Sequence, residues 1–89
     1  MKLDVYSLQK VLFRGEAVSV NCQTASGEIT VLDHHRPLIS VLKKGNLKIT
    51  RAESDRSIDK SEKEVYIPVS SGFLEVRDGN EARFLVEEE

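Results

Sequence analysis

The strongest candidates for metal chemistry in this chain are three adjacent residues, Asp33, His34 and His35. Imidazole and carboxylate groups are common ligands of transition metals. Adjacent side chains on an extended segment point to opposite faces, so both histidines reach one ion only from an irregular loop. We therefore expect a structural or contact role for these residues and no metal site.

Two segments contain possible nucleophiles, and neither has the surroundings that catalysis needs. Ser70-Ser71-Gly72 lacks the Gly-x-Ser-x-Gly frame, and no neighbouring histidine marks a catalytic partner. Cys22 alternates with polar residues on the same side as Val18 and Val20, where a thiol packs as a small apolar group. No glycine-rich turn leads into a helical pattern that would cradle a phosphate. The sequence predicts neither an enzyme nor a cofactor site.

The composition also argues against several classes of partner. Fifteen acids against thirteen bases give a net charge of -2, which does not favour a nucleic acid or an anionic membrane surface. The five aromatic residues are scattered, and tryptophan is absent, which disfavours a sugar-binding platform. A single cysteine, no apolar run of about 18 residues and no recognisable leader predict a reducing compartment and no direct membrane insertion.

The elements that would position these residues are short β-strands. Apolar residues recur with period two, the spacing that gives a strand one buried and one solvated face. Asp78-Gly79-Asn80 separates two alternating segments and predicts a hairpin. About nine such strands, separated by glycines, predict one all-β domain over residues 1–89, a flattened sandwich of two sheets. The alternating sets are Val18, Val20 and Cys22; Ile29 and Val31; Leu47 and Ile49; Val65, Ile67 and Val69; Leu74 and Val76; and Ala82, Phe84 and Val86.

Two charged stretches interrupt this pattern. Nine of the fourteen residues in Arg51–Glu64 are charged, so we expect a solvated loop or an exposed hairpin arm there. The terminal run Glu87–Glu89 is expected to be a solvated end.

Several segments together resemble one protein family. Gly27–Ser40, with the sequence GEITVLDHHRPLIS, resembles the central motif of the ATP synthase epsilon subunit, the counterpart of the mitochondrial delta subunit. Leu3–Val5 and Val11–Val20 resemble the opening strands of that family. Leu42–Gly45 and Val69–Val76 follow in the same order and spacing. The resemblance covers nearly the whole chain.

The resemblance implies a fold and a function. The family's N-terminal domain is a flattened ten-stranded β-sandwich, so the two lines of reasoning together predict nine or ten strands. It implies a non-catalytic rotor subunit of the central stalk, which binds the gamma subunit and the c-ring and helps to couple ion flow to ATP synthesis. Its expected place is the cytoplasmic face of the cell membrane, as a peripheral part of the complex. The alternative is a free-standing β-sandwich module that binds another protein or a carbohydrate.

The resemblance also implies an interface. Glu28 matches the acid of the family's Gly-Glu pair and His35 matches its His before Pro, and both are expected on the c-ring side. Ser40 and Leu42 are weaker candidates for the same side. An exposed apolar patch on one sheet face is expected for gamma, with no residue assigned to it.

The sequence departs from the family's pattern in two places. Asp33-His34 stands where the family usually has Pro-Gly, so the conformation of that loop is open. Many members continue into a C-terminal helical hairpin that can inhibit ATP hydrolysis. Because this sequence ends at Glu89, we expect a short form without that activity.

Overall fold

Alternation of apolar and polar residues produces strands throughout the described part of the chain. The computed structural model describes residues 1–52 and 63–89, and these residues form seven strands and no helix. Among the same residues there is accordingly no helix of the length and apolarity needed to cross a membrane. The strands are β1 (Lys2–Tyr6), β2 (Val11–Thr24), β3 (Gly27–Leu32), β4 (Leu38–Leu42), β5 (Gly45–Arg51), β6 (Glu64–Arg77) and β7 (Glu81–Glu88).

Two layers of strands are built around the long strands β2 and β6. The β5 layer contains β3, the C-terminal part of β2, β5 and the N-terminal part of β6. The β7 layer contains β4, the C-terminal part of β6, β7, β1 and the N-terminal part of β2. All pairings are antiparallel except that of β1 with β7. The prediction of an all-β, flattened sandwich is confirmed, with principal extents of 33 × 27 × 22 Å.

The described residues form fewer strands than the nine or ten expected, because β2 and β6 each serve both layers. Each is 14 residues long and changes partners at a register shift, near Ala17–Ser19 in β2 and near Val69–Ser71 in β6. Such a β-bulge inserts one residue and bends the strand. Counting the two parts of each long strand separately turns seven strands into nine.

The bulge in β2 overturns one detail of the predicted alternation. Val18 was expected to share the buried face of Val20 and Cys22, yet it is 42% exposed, whereas Ala17 is fully buried. The extra residue at the bulge exchanges the inward and outward positions on its two sides. The pattern in β6 changes in the same way, from Ile67 and Val69 to Leu74 and Val76.

The core fills the space between the two layers. The buried apolar residues are Met1, Leu3, Val5, Phe13, Ala17, Val20, Cys22, Val31, Leu42, Leu47, Ile49, Ile67, Val69, Leu74, Val76, Ala82, Phe84 and Val86. Every strand contributes at least one of them, so the strands depend on one shared core.

The predicted hairpin is confirmed, with β6 and β7 paired across Asp78-Gly79-Asn80. Gly79 and Asn80 both adopt positive φ, at 87° and 60°, as a tight reversal requires. The interpretation of Arg51–Glu64 as a solvated loop or arm lies mostly on residues 53–62, outside the described residues. At its base, the Arg51 amide donates to the Lys63 carbonyl at 2.8 Å.

Candidate interaction surfaces

The loop between β3 and β4 carries His35. His34 adopts φ 60°, a left-handed conformation that is uncommon for a residue with a side chain. The His35 amide donates to the Leu32 carbonyl at 3.1 Å, and His35 Nδ1 lies 2.6 Å from the Arg36 carbonyl oxygen. All of residues 33–37 are exposed. The loop is irregular and presents His35 to solvent.

Glu28 lies at the other end of β3, just after the turn from β2. Thr24 Oγ1 donates to the Gly27 carbonyl at 2.7 Å and accepts from the Ser26 amide at 3.1 Å, which fixes this turn. Gln23 Nε2 donates to Glu28 Oε2 at 3.0 Å across the strand pair. Glu28 is exposed, but the structure does not bring it next to His35. Four steps of an extended strand set Glu28 about 13 Å from Leu32, whose carbonyl oxygen accepts from the His35 amide in the turn that follows β3.

The expectation for Leu42 needs correction, whereas that for Ser40 stays a prediction. Both face inward from β4, because alternate residues of a strand point to opposite sides. Leu42 is 3% exposed and belongs to the core, so its side chain is not available to a partner. Ser40 is half-buried. The outward residues of this strand are Ile39 and Val41, which the sequence reasoning passed over.

A line of apolar and aromatic side chains, exposed or half-buried, crosses the outer face of the β7 layer. Cross-strand register aligns one residue from each of five neighbouring strands, in the order β4, β6, β7, β1 and β2. We call these residues the apolar row: Val41, Phe73, Leu85, Tyr6 and Val11. Phe73, the second residue of the row, is 57% exposed, and Leu8 lies beside it in a shallow groove with Val41 and Leu85.

Two rows of charged residues run parallel to the apolar row on the same face. The first row is Glu75, Arg83, Asp4 and Arg14, and the second is Arg77, Glu81, Lys2 and Glu16. The signs alternate along each row, as in the ion pair of Arg14 Nε with Asp4 Oδ1 at 3.1 Å. Opposite charges in cross-strand positions favour the observed register. The outer face of the β7 layer is thus divided into an apolar part and a charge-balanced part.

One member of the apolar row, Phe73, could have been placed on the outer face from the sequence pattern alone. Phe73 has the parity opposite to the buried Leu74 and Val76, which places it on the outer face. On the sequence alone, we noted only that the aromatic residues are scattered. The alternation around Phe73 was visible, but its pairing with Val41 and Leu85 required the fold.

The candidate nucleophiles lie in surroundings that suit packing. Cys22 is buried as predicted, and desolvation raises the pKa of its thiol to about 11. Ser70 Oγ donates to the Glu87 carbonyl at 3.2 Å. Within residues 1–52 and 63–89, no three histidine, cysteine or acidic side chains are grouped so that they could hold a metal ion.

In the loop after β3, the carboxyl group of Asp33 has a lowered pKa. Hydrogen bonds from the Met1 ammonium group and from Asn80 lower the pKa of its carboxyl group, the ammonium contributing most. Its carboxylate therefore stays ionised at lower pH than an ordinary aspartate.

Comparison with known proteins extends over almost the whole chain. Residues 1–88 match the family described as ATP synthase, Delta/Epsilon chain, beta-sandwich domain. The chain belongs to this family. The resemblance seen in the sequence is thereby confirmed. The two-layered fold described above agrees with the β-sandwich domain in the family's description.

Two relatives that are similar in sequence are bacterial epsilon chains. The chain is 38% identical over 80 residues to the ATP synthase epsilon chain of Bordetella avium, covering 90% of this chain and 51% of that protein. It is 32% identical over 77 residues to the epsilon chain of Neisseria meningitidis serogroup C, covering 86% and 50%. The chain thus spans about half the length of the curated relatives it matches.

Solved structures share the fold at lower sequence identity. A chain of the Tetrahymena thermophila mitochondrial ATP synthase central stalk and c-ring superposes with a TM-score of 0.75 at 19% identity, covering 99% of this chain and 63% of that one. A chain of the Euglena gracilis mitochondrial ATP synthase OSCP/F1/c-ring structure gives a TM-score of 0.79 at 21% identity, covering 97% and 49%.

Proposed function

We propose that the chain is a non-catalytic central-stalk subunit of an F-type ATP synthase, where it binds the gamma subunit and the c-ring and helps to couple ion flow to ATP synthesis. In that role it lies peripherally at the cytoplasmic face of the membrane. Family membership supports the complex, and the apolar row supports a docked partner. The apolar row is the observation that carries the proposal, because a sheet face with such a patch is typical of an interaction site.

Gamma is the partner that we assign to the apolar row. Five strands at the usual spacing make the row about 19 Å long, which corresponds to about 13 residues of an α-helix. A long helical partner with an apolar stripe would therefore cover the row along its length, from Val41 to Val11. The alternating charges beside it would remain at the polar rim of the interface.

The c-ring side is assigned to the loop of His35 and the turn of Glu28. These two sites lie at opposite ends of β3, which spans about 13 Å from Glu28 to Leu32. A ring of repeated subunits presents several equivalent surfaces, and contacts at both sites with different copies are compatible with that spacing. Leu42 is excluded from this interface by its burial, and half-buried Ser40 contributes at most its exposed edge.

The closed arrangement of strands suits transmission of force between two partners. β1 pairs with both β2 and β7, so the strand pairings run continuously around the molecule. A close-packed interior resists compression and passes strain on to its neighbours. Load applied at the His35 loop would therefore reach the outer face of the β7 layer with little internal deformation.

A matched pair of variants on β6 tests the gamma assignment. Phe73 and Tyr66 are both 57% exposed, but they lie on the outer faces of different layers. We expect Phe73→Ser to reduce capture of purified gamma subunit by at least tenfold, about 1.4 kcal/mol, because it removes the most exposed side chain of the apolar row. Tyr66→Ser should leave capture within about twofold of the unmodified chain.

The same experiment distinguishes a gamma-binding subunit from a free-standing binding module. Equal loss in both variants, or no capture of gamma by the unmodified chain, would contradict the assignment. A carbohydrate-binding module has no observation in its favour, because Phe73 and Tyr66 lie on separate faces and do not form a shared stacking platform.

A further inference from the structure

Asn80 connects the β6–β7 turn to two other parts of the chain. Its backbone carbonyl accepts from the Lys2 amide at 3.0 Å, which ties the turn to the start of β1. Its φ of 60° directs the side chain away from the hairpin and toward the loop after β3. Sequence analysis recognised Asn80 only as a turn residue, and the turn alone does not require an amide at this position.

The Asn80 side chain binds two consecutive residues of that loop. The His34 amide donates to Asn80 Oδ1 at 2.7 Å, and Asn80 Nδ2 donates to Asp33 Oδ1 at 3.3 Å. Asp33 Oδ1 also accepts from the Met1 ammonium group, which itself donates to the Ala17 carbonyl at 2.8 Å. Two loop residues are thus held to segments far away in sequence.

The loop has an evident need for such support. His34 holds φ 60°, and this left-handed conformation is unfavourable for a residue with a Cβ unless its surroundings maintain it. Residues 33–37 are all exposed and contribute no side chain to the core. A segment with so few buried contacts opens easily unless specific hydrogen bonds hold it.

We propose that Asn80, acting with Asp33, is a positioning residue that fixes the loop of His35 in the conformation that meets the c-ring. This inference rests on the proposed ring-binding function of that loop. A loop that is already ordered loses less conformational entropy when it binds, so the amide of Asn80 would strengthen binding without touching the ring. A side chain of the β6–β7 turn thereby controls the contact that the neighbouring loop of His35 makes with the c-ring.

The first arm of the test measures loop order in the isolated full chain. Asn80→Gly removes the amide and keeps the positive φ of the turn, since glycine adopts it freely. We expect amide hydrogen exchange at His34 to become about fivefold faster, as loss of one exposed hydrogen bond predicts. Asn80→Asp keeps an oxygen that can accept from the His34 amide and removes only the donor to Asp33, so it should speed exchange less than Asn80→Gly.

A matched control removes a different exposed asparagine amide. Asn21 Nδ2 donates to Thr30 Oγ1 at 2.9 Å on the β5 layer, away from the loop. Asn21→Ala should leave exchange at His34 unchanged, and the core amide of Phe84 reports any change in global stability in each variant. An unchanged His34 rate in Asn80→Gly overturns the positioning role.

The second arm measures affinity for purified c-ring bound to gamma. Asn80→Gly should weaken binding about fivefold, and the double variant Glu28→Ala/His35→Ala should weaken it further. Asn80→Gly could speed exchange at His34 and leave the affinity unchanged, while the double variant binds weakly. That result would overturn the contribution of Asn80 to binding and would leave the ring site itself supported. Unchanged affinity in every variant overturns the ring site itself, and the role of Asn80 in binding with it.

Discussion

At the scale of single residues, Asp33 shows how a departure from the family's pattern is accommodated. Sequence comparison left the loop conformation open, because Asp33-His34 replaces the usual Pro-Gly. In the structure His34 adopts the positive φ that glycine would take without strain, and Asp33 meets the Met1 ammonium group and Asn80. Neither partner was predictable from the sequence, because both come from segments that only the fold brings close.

The lowered pKa of Asp33 predicts a change of stability with pH. Its folded-state pKa lies below the unfolded value of about 3.9, so the stability that it contributes is fully present above that pH. That contribution is lost as the pH falls through the folded-state pKa. We expect Asp33→Asn to unfold at lower denaturant concentration than the unmodified chain at pH 6, with the difference shrinking below about pH 4.

Urea titrations of both chains between pH 6 and pH 2 measure this difference. Glu16 Oε2 also lies 3.6 Å from the Met1 ammonium group, so Glu16→Gln is the control that separates the two carboxylates. A difference between Asp33→Asn and the unmodified chain that stays constant with pH would contradict the assignment.

At the scale of strands, the bulges in β2 and β6 decide where sequence-based prediction succeeds. Alternation within Leu47–Ile49 and within Ala82–Val86 was confirmed, because the extra residue at each bulge lies in β2 or β6 and not in these strands. The prediction for Val18 was wrong, because it extended one alternation across a bulge. A bulge does not produce a distinctive hydrophobic pattern. The sequence therefore predicts two short strands where the structure has one bent strand of 14 residues.

Gly72 permits the close approach of β6 and β7 beside the bulge in β6. A Cβ at this position would lie 2.4 Å from the Leu85 carbonyl oxygen and 3.0 Å from the Val86 Cα, both backbone atoms. We expect Gly72→Ala to lower the free energy of unfolding by about 1–3 kcal/mol, because the two strands must separate to admit the methyl group. Chemical denaturation measures this loss.

The neighbouring exposed residue provides the control for Gly72. Ser71→Ala changes a side chain on the same bulge without adding an atom toward β7, and it should alter the unfolding free energy by less than about 0.5 kcal/mol. Equal stability of Gly72→Ala and Ser71→Ala would show that the strands accommodate a Cβ there.

At the scale of the whole molecule, the sequence predicted the architecture better than the surfaces. The two-layer fold followed from alternation and turns because a strand with one apolar face must cover it. The ring-side candidates came from the family resemblance, and of these Leu42 proved to be buried in the core. The apolar row could not be assembled from the sequence, because its five members are aligned only by the register of five strands.

The central claim is that two separate surfaces of one rigid shell engage gamma and the c-ring. Site-specific photo-crosslinking in the assembled, membrane-bound complex tests it most directly, with the crosslinker placed in turn at Phe73, His35 and Tyr66. We expect adducts with gamma from position 73, adducts with the c subunit from position 35, and neither from position 66. Adducts of position 73 with a partner other than gamma, or no adducts from positions 73 and 35 in the intact complex, would contradict it.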